Sequence, residues 1–530
     1  QAANGGAYPP DMSVLVKARG GGVDYIYSLL QGYEDPPEGF TLRDYYQGNK
    51  NFSARSLATS TIATQCSTNS LLGAPAFVGF SAGGGLIWLQ YELAVQLAML
   101  LLMFILMPAR RLGITSIYEI LEIKLGRNSR LTAAGCFLFF RAVATGVTVY
   151  GSSLIISIIL NIDFLFAVII LLGVTLIYDL LGGLAAVVIS DVLQTFIIVI
   201  AIIFSLIIIG DHISWDYFQT SRNQTILNDW GVSGNDYGLW PMLFGGWILY
   251  AAYYGCDQSQ AQRILSTKSV EDTKKVLLLN GIFRFPLVML YCFLGLGLAS
   301  LAQQDSKIIE MLPLLDSGAK NYNMIFPVFI MEYFSEGAVG LVIIGLLAAA
   351  MSSIDSSLNS LSAVTLEDFI KPHIKNNSEK LDIKISRFCT LFWGIIILFI
   401  SFQVESIAPT VLEAINKIGS MVNGPLLGLI MIAIFQMNKS EKLTLISFAS
   451  GIFITLLTAL FFENISWLWW NVIGFLTTIL ISTSLQCIAR TPLNFNLILD
   501  EEMNRNMIIV PIITFIFIFA ICLYLNSFSN

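Results

Sequence analysis

Long apolar segments separated by short polar ones run through most of the chain. Roughly thirteen of them reach the length of about 20 residues that a helix needs to cross a bilayer. They are expected near 54–80, 85–108, 131–160, 163–181, 183–210, 239–257, 275–302, 337–365, 385–403, 408–436, 441–463, 466–488 and 507–525. Several depart from plain hydrophobicity. Gly340–Asp368 begins apolar and turns polar halfway, with Ser352, Asp355, Ser356 and Asn359 at three- and four-residue spacing on one helix face. Ser353, Ser357 and Ser360 flank that stripe. The first span carries Gln65, Ser67, Thr68, Asn69 and Ser70 at mid-membrane depth, then Gly73 and Pro75. Such a run predicts a helix that unwinds and offers backbone carbonyls to a cavity. The alternative is a kinked packing helix. The fifth span places Asp191, Gln194 and Thr195 on one face, and the sixth ends at Asp257–Gln258, which reads by itself as a helix cap.

Composition agrees with the pattern. Of 530 residues, 55% are hydrophobic and 12% charged, with a mean hydropathy of +0.73. This is the balance of an all-α polytopic membrane protein. With the first span starting on the cytoplasmic side, the inside loops collect the basic residues. These are Arg110, Arg111, Lys124, Arg127, Arg130, Arg263, Lys268, Lys274, Lys275, Lys371, Lys375, Lys380, Lys384, Arg387, Lys439, Lys442, Arg490 and Arg505. The outside loops hold Arg222, Lys307 and Lys320, as the positive-inside rule requires.

Charge inside the membrane directs attention to chemistry. Asp191 and Asp355 are each expensive at that depth and need a partner or a wet cavity. Their carboxylates with neighbouring hydroxyls form a hard-oxygen surface suited to a hard cation. If both face one cavity, a cation or shared proton must separate them, so a second cation or proton site between Asp191 and Asp355 is expected. Arg141, Arg284 and Glu92 are either structural counter-ions or solute contacts, and Asp179 lies near a predicted helix end, at the membrane interface. The seven cysteines lack CxxC or Cys/His spacing. The two histidines, His212 and His373, fall in predicted loops, so His-based catalysis, zinc and haem find no support, and no enzyme activity is expected.

Two family resemblances follow from motifs. Residues 1–43 contain NGGAYPPDMSVLVKAR and GGVDYIYSLLQGYEDPPEGFTLR, which resemble an internal piece of cytochrome c1. They carry no CxxCH haem attachment, so no haem is expected and the segment reads as a fusion or assembly scar. From about residue 44 the chain resembles the sodium/solute symporters, the group of sugar, proline, sialate, pantothenate, multivitamin and iodide carriers. The motifs are DYYQGNKNFSARSLATSTIATQCS, YELAVQLA with ITSIYEILEIKLG, GGLAAVVISDVLQT, DQSQAQRILSTKSVEDTKK and AAAMSSIDSSLNSLSAVTLEDFI.

The resemblance implies a leucine-transporter-type fold of two inverted five-helix repeats in a core of residues 44–437, followed by three further helices in 438–530. It implies sodium-coupled import of a small organic solute by alternating access, in a multi-pass and bacterial inner membrane. The principal sodium site would use carbonyls of Ala63, Cys66 and Ala349 with the hydroxyls of Ser352 and Ser353. A second sodium in some branches matches Asp191, Asp355 and Ser356. Solute contacts of the sugar branch match Asn69, Ser70, Glu92, Asp257 and Arg284. Asp257 stands where that branch has an amide, which leaves the solute open among sugars, carboxylates, amino acids and vitamin-like molecules. Family members also have a helix before the first core span, in whose place the cytochrome-like residues stand here. The rival readings are a proton-coupled carrier of the same fold, a respiratory-chain subunit, a membrane-embedded enzyme and a non-transporting sensor.

Overall fold

A computed structural model describes residues 41–48, 52–66, 68–213, 237–314, 318–374, 378–403, 411–435, 440–462, 464–489 and 505–526. The cytochrome-like segment lies outside this set up to residue 40. Among the described residues the fold is helical. A short helix, α1 (Leu42–Gln47), leads into α2 (Ala54–Gln65) and α3 (Thr68–Phe80), then α4 (Glu92–Arg111). The short α5 (Glu119–Lys124) precedes the long α6 (Arg127–Leu160) and α7 (Phe164–His212). The second half opens with α8 (Gly246–Cys256), α9 (Gln258–Leu265) and α10 (Val270–Gln304). It continues with α11 (Glu336–Val364), α12 (Glu379–Ser401) and α13 (Val411–Ile434). Three more helices close the chain: α14 (Glu441–Phe461), α15 (Trp467–Ile488) and α16 (Arg505–Asn526).

Ten of these helices are long and apolar enough to cross a membrane. The remaining expected spans, the first, fourth and sixth, are represented by shorter pieces, each for a local reason. The first breaks at Cys66, whose backbone (φ −86°, ψ 64°) leaves the helical region. This is the unwinding expected from the polar run, but it lies ahead of Gly73 and Pro75, which sit inside α3. The sixth does not end at Asp257: the chain turns there (φ −81°, ψ 119°) and resumes as α9. The fourth and fifth spans run together in α7, divided by a kink at Gly183 (φ 51°, ψ −148°).

The Gly183 kink is occupied by α1. Tyr45 and Tyr46 are fully buried, and Tyr45 Oη donates to the Asp179 carbonyl at 3.1 Å, one turn before the bend. A Cβ on residue 183 would stand 2.5 Å from the Tyr45 carbonyl oxygen. Gly183→Ala therefore meets both a left-handed backbone and a backbone clash, and is expected to cost about 1–3 kcal/mol. A lower unfolding temperature in detergent checks this. Unchanged stability would show that the kink tolerates a side chain.

Elsewhere the packing follows membrane rules. α13 and α15 approach so closely that a Cβ at Gly424 would lie 2.0 Å from the Asn471 carbonyl oxygen, which is how small residues let helices associate where lipid is as apolar as the side chains. Phe139, Phe196, Phe388 and Leu460 stay largely exposed, as lipid-facing side chains do. α11 packs along α6 and α7, bringing its polar stripe against both and against α2. Asp179, expected at the interface, is instead fully buried, with Oδ1 3.4 Å from Asn359 Nδ2.

Candidate functional site

Two helix breaks and the stripe of α11 converge on one place. At the first break, Thr61 and Thr64 turn their hydroxyls back to the carbonyls of Leu57 and Ser60, at 2.7 and 2.9 Å. This back-bonding is the local preference that weakens a helix end. At the second, Asp257 caps α9, its Oδ1 accepting from the Ser259 backbone N–H at 2.8 Å and hydroxyl at 2.6 Å. Between the breaks lies a cavity of about 200 Å³ lined by residues of both, by Arg141 on α6, by Ser353 and Ser357 on α11 and by Tyr250 and Tyr253 on α8.

The residues expected at a principal sodium site come together across the α2–α11 contact. Ser352 Oγ lies 3.4 Å from the Ala63 carbonyl oxygen and 3.1 Å from that of Ala349. Ser353 Oγ donates to the Thr64 carbonyl at 3.1 Å, and Cys66 lines the cavity at the break itself. Both serines are buried. Hydroxyls and unwound-helix carbonyls at this spacing supply hard oxygen donors without fixed charge.

Asp191, Asp355 and Ser356 are also neighbours, all buried. Tyr178 Oη donates to Asp355 Oδ2 at 2.5 Å, and Ser356 Oγ to Asp355 Oδ1 at 3.1 Å. The surprise is Arg263. Counted among the cytoplasmic loop charges by its place in sequence, it is 1% exposed and forms a 3.1 Å ion pair with Asp191. A cation was missing from the sequence reading of this region. Two carboxylates in mid-membrane without a basic partner were the signal that one had to be nearby.

The five expected solute contacts divide. Glu92 and Arg284 bind each other in a two-pronged pair, Nε to Oε2 at 2.8 Å and Nη2 to Oε1 at 3.1 Å. Arg284 also donates to Tyr250 Oη at 2.6 Å and, through Nη1, to Gln65 Oε1. Its three nitrogens are all engaged. Asp257 pairs with Arg141 Nη1 at 3.2 Å, and Ser70 Oγ donates to the Gln65 carbonyl at 3.2 Å. Asn69 belongs to α3, but its side chain is outside the described set. Arg141 further donates Nε to Ser357 Oγ at 3.0 Å and stands 5.9 Å over the ring of Tyr253. Gln65, which had no assigned role, joins the breaks: besides Arg284 it accepts from Tyr254 Oη at 2.6 Å.

Comparison with known proteins adds to this geometry. The sodium:solute symporter family model matches residues 45–451, and the cytochrome C1 family model matches residues 1–66. The sodium-coupled monocarboxylate transporter 1 of Mus musculus is 31% identical over 409 residues, 74% of this chain and 64% of its own length. The chain thus spans somewhat less than two thirds of that relative. The sodium/sialic acid symporter of Aliivibrio fischeri is 24% identical over 83% of this chain and 86% of its own. A substrate-bound, outward-open Na+-coupled sialic acid symporter of known structure superposes with a TM-score of 0.77 at 24% identity, over 88% of this chain and 96% of that one. The shared fold is of the leucine-transporter type.

Proposed function

Since the chain belongs to the sodium:solute symporter family, we propose that it is a sodium-coupled secondary transporter that imports a small organic anion by alternating access. The observation that carries this reading is the meeting of the broken α2 with Ser352 and Ser353 of α11 beside a cavity lined by both broken helices. Sodium bound by those hydroxyls with the carbonyls of Ala63, Cys66 and Ala349 ties α2 to α11. Ion affinity that differs between the outward and inward states transmits the gradient to the solute. No bond is made or broken in this cycle. The basic inside loops support a multi-pass membrane protein with the first core span starting in the cytoplasm, and the Aliivibrio fischeri relative fits a bacterial inner membrane.

The solute class follows from the two arginines that line the cavity. Arg284 is consumed by Glu92, Tyr250 and Gln65 and serves as a wall of the cavity. Arg141 faces the cavity with Nε on Ser357 and Nη1 on Asp257, and a guanidinium carries more N–H donors than these two bonds use, which suits a carboxylate. The names of the monocarboxylate and sialic acid relatives fit an acidic solute. A cavity of about 200 Å³ is smaller than the ~300–1,000 Å³ of ligand clefts in general and favours a small one.

Uptake of a radiolabelled short-chain hydroxy acid into proteoliposomes tests the reading. An inward sodium gradient should drive accumulation and an equal potassium gradient should not. Arg141→Gln should weaken solute affinity by about 30-fold or more, the effect of truncating one partner of a buried charged pair (roughly 2–5 kcal/mol). Accumulation that ignores sodium and follows pH would favour a proton-coupled carrier. Unchanged affinity in Arg141→Gln would remove the carboxylate assignment.

A further inference from the structure

Helix α12 sorts its charges by face. Lys380, Lys384 and Arg387 follow one another at four- and three-residue spacing along one side of its first turns. The two acids of the same stretch are placed otherwise. Glu379 accepts from the Leu42 backbone N–H at 2.6 Å, and Asp382 is buried on the side away from Lys384. Among the described residues neither Lys384 nor Arg387 has an ion pair. Arg387 Nε is in addition buried with no hydrogen-bond partner. Beyond the charges the face turns apolar and stays exposed at Phe388, Leu391, Ile395 and Phe399.

We propose that this face of α12 binds one anionic phospholipid, its phosphodiester held by Arg387 with Lys384 and Lys380 and its acyl chains lying along Phe388, Leu391 and Ile395. The reason lies in the position of Arg387. Its Cα stands eight residues inside the end of α12, about 12 Å along the axis, at a depth where a charged side chain in lipid is costly. Side chains on a helix tilt toward its N-terminus, so the stem leads the guanidinium back toward Lys384 and the membrane surface. A buried N–H without an acceptor is destabilising, and a guanidinium takes a phosphate through two parallel N–H donors. From Arg387 to Ile395 the helix rises about 12 Å, close to the ~15 Å depth of one leaflet, so one lipid covers the stretch. A zwitterionic headgroup would bring a cation beside three basic residues, whereas an anionic one complements them. The side is the one read above as cytoplasmic, where basic segments meet anionic lipid. The same turn of α12 docks α1: the hydroxyls of Ser386 and Tyr46 share a hydrogen bond, and the Ser386 carbonyl accepts from Ser362 Oγ at 2.8 Å. A lipid fixed at Arg387 thus steadies the surface on which α1 rests.

Lipid retention by the purified full chain tests this. The protein is exchanged into micelles holding equal phosphatidylglycerol and phosphatidylcholine, and bound lipid is counted by native mass spectrometry. The wild type should retain one phosphatidylglycerol per chain in preference to phosphatidylcholine. Arg387→Gln and Lys384→Gln should each weaken that retention about fivefold or more, the share of one basic residue at a lipid surface. Lys442→Gln, at the start of α14, removes a basic residue outside this face and should change nothing. Thermal unfolding separates a lipid from a free anion: phosphatidylglycerol should raise the unfolding temperature and equal inorganic phosphate should not. Equal retention of the two lipids, retention that both α12 variants leave untouched, an equal loss in Lys442→Gln, or a phosphate shift as large as the lipid's would overturn the proposal. If Arg387→Gln does not fold, Lys384→Gln and the wild-type selectivity still decide it.

Discussion

Glu92→Ala is expected to destabilise the folded protein by about 3–5 kcal/mol, the largest effect of any single substitution near the cavity. Glu92 is 1% exposed and Arg284 8%, and the two meet through both guanidinium edges. Removing the carboxylate leaves a buried guanidinium held only by the neutral oxygens of Gln65 and Tyr250. An uncompensated buried charge of this kind costs far more than the net worth of the pair. Total stabilities lie around 5–15 kcal/mol, so much of the variant should be aggregated or degraded at growth temperature. Glu92→Gln, which restores an acceptor without charge, should recover part of the loss. A neutral pair, Glu92→Gln with Arg284→Gln, should recover more than the sum of the single variants allows, since the two residues share one interaction. Thermal unfolding of the wild type, Glu92→Ala, the two glutamine single variants and the double variant measures this. Additive effects would mean that the pair is not a unit.

The second large effect falls on ion affinity and leaves the fold intact. Ser353→Ala removes a hydroxyl bonded at 3.1 Å to the Thr64 carbonyl, beside the Cys66 break. Loss of one oxygen donor to a charged partner is worth about 1.5–3 kcal/mol, which corresponds to roughly 10- to 150-fold weaker sodium binding. The sodium concentration for half-maximal uptake should rise by that factor, while solute affinity at saturating sodium returns close to normal. Ser352→Ala should act in the same direction, because its hydroxyl lies between the Ala63 and Ala349 carbonyls. A variant that loses solute affinity and keeps its sodium dependence would place the ion elsewhere.

The parts of the site legible in the sequence are those set by local chemistry. The run Gln65 to Ser70 could not remain a continuous helix at low cost, and the first break falls within it. The depth of Asp191 and Asp355 announced a charged cluster, and Ser352, Asp355 and Ser356 could be read as one face because helical spacing is fixed. Asp257 was recognisable as a cap, though not as a break inside one span, since a helix resuming after a cap looks like a loop when followed by QSQAQRILSTKS. What escaped depends on pairing across the chain. Arg141 meets Asp257 from 116 residues away. Arg263 reaches Asp191 across 72, from a segment whose polarity matches that of a cytoplasmic connection. Gln258, Ser259, Gln260 and Gln262 are all buried with it, so the polar face of α9 points into the protein. Asp179 was assigned to the interface from its position near a helix end. The positive φ of Gly183 carries the chain past that end and keeps the carboxylate inside.

Sodium is proposed to bind where α2 breaks against α11. Thermal unfolding of the purified protein in sodium, compared with equal potassium, tests it most directly. A ligand bound only by the folded state adds RT ln(1 + [L]/Kd), about 2.7 kcal/mol at a hundredfold excess over Kd. The unfolding temperature should rise with sodium specifically, saturate with concentration, and need more sodium to do so in Ser353→Ala. Equal curves in sodium and potassium, or a sodium shift that Ser353→Ala and Ser352→Ala leave untouched, would contradict it.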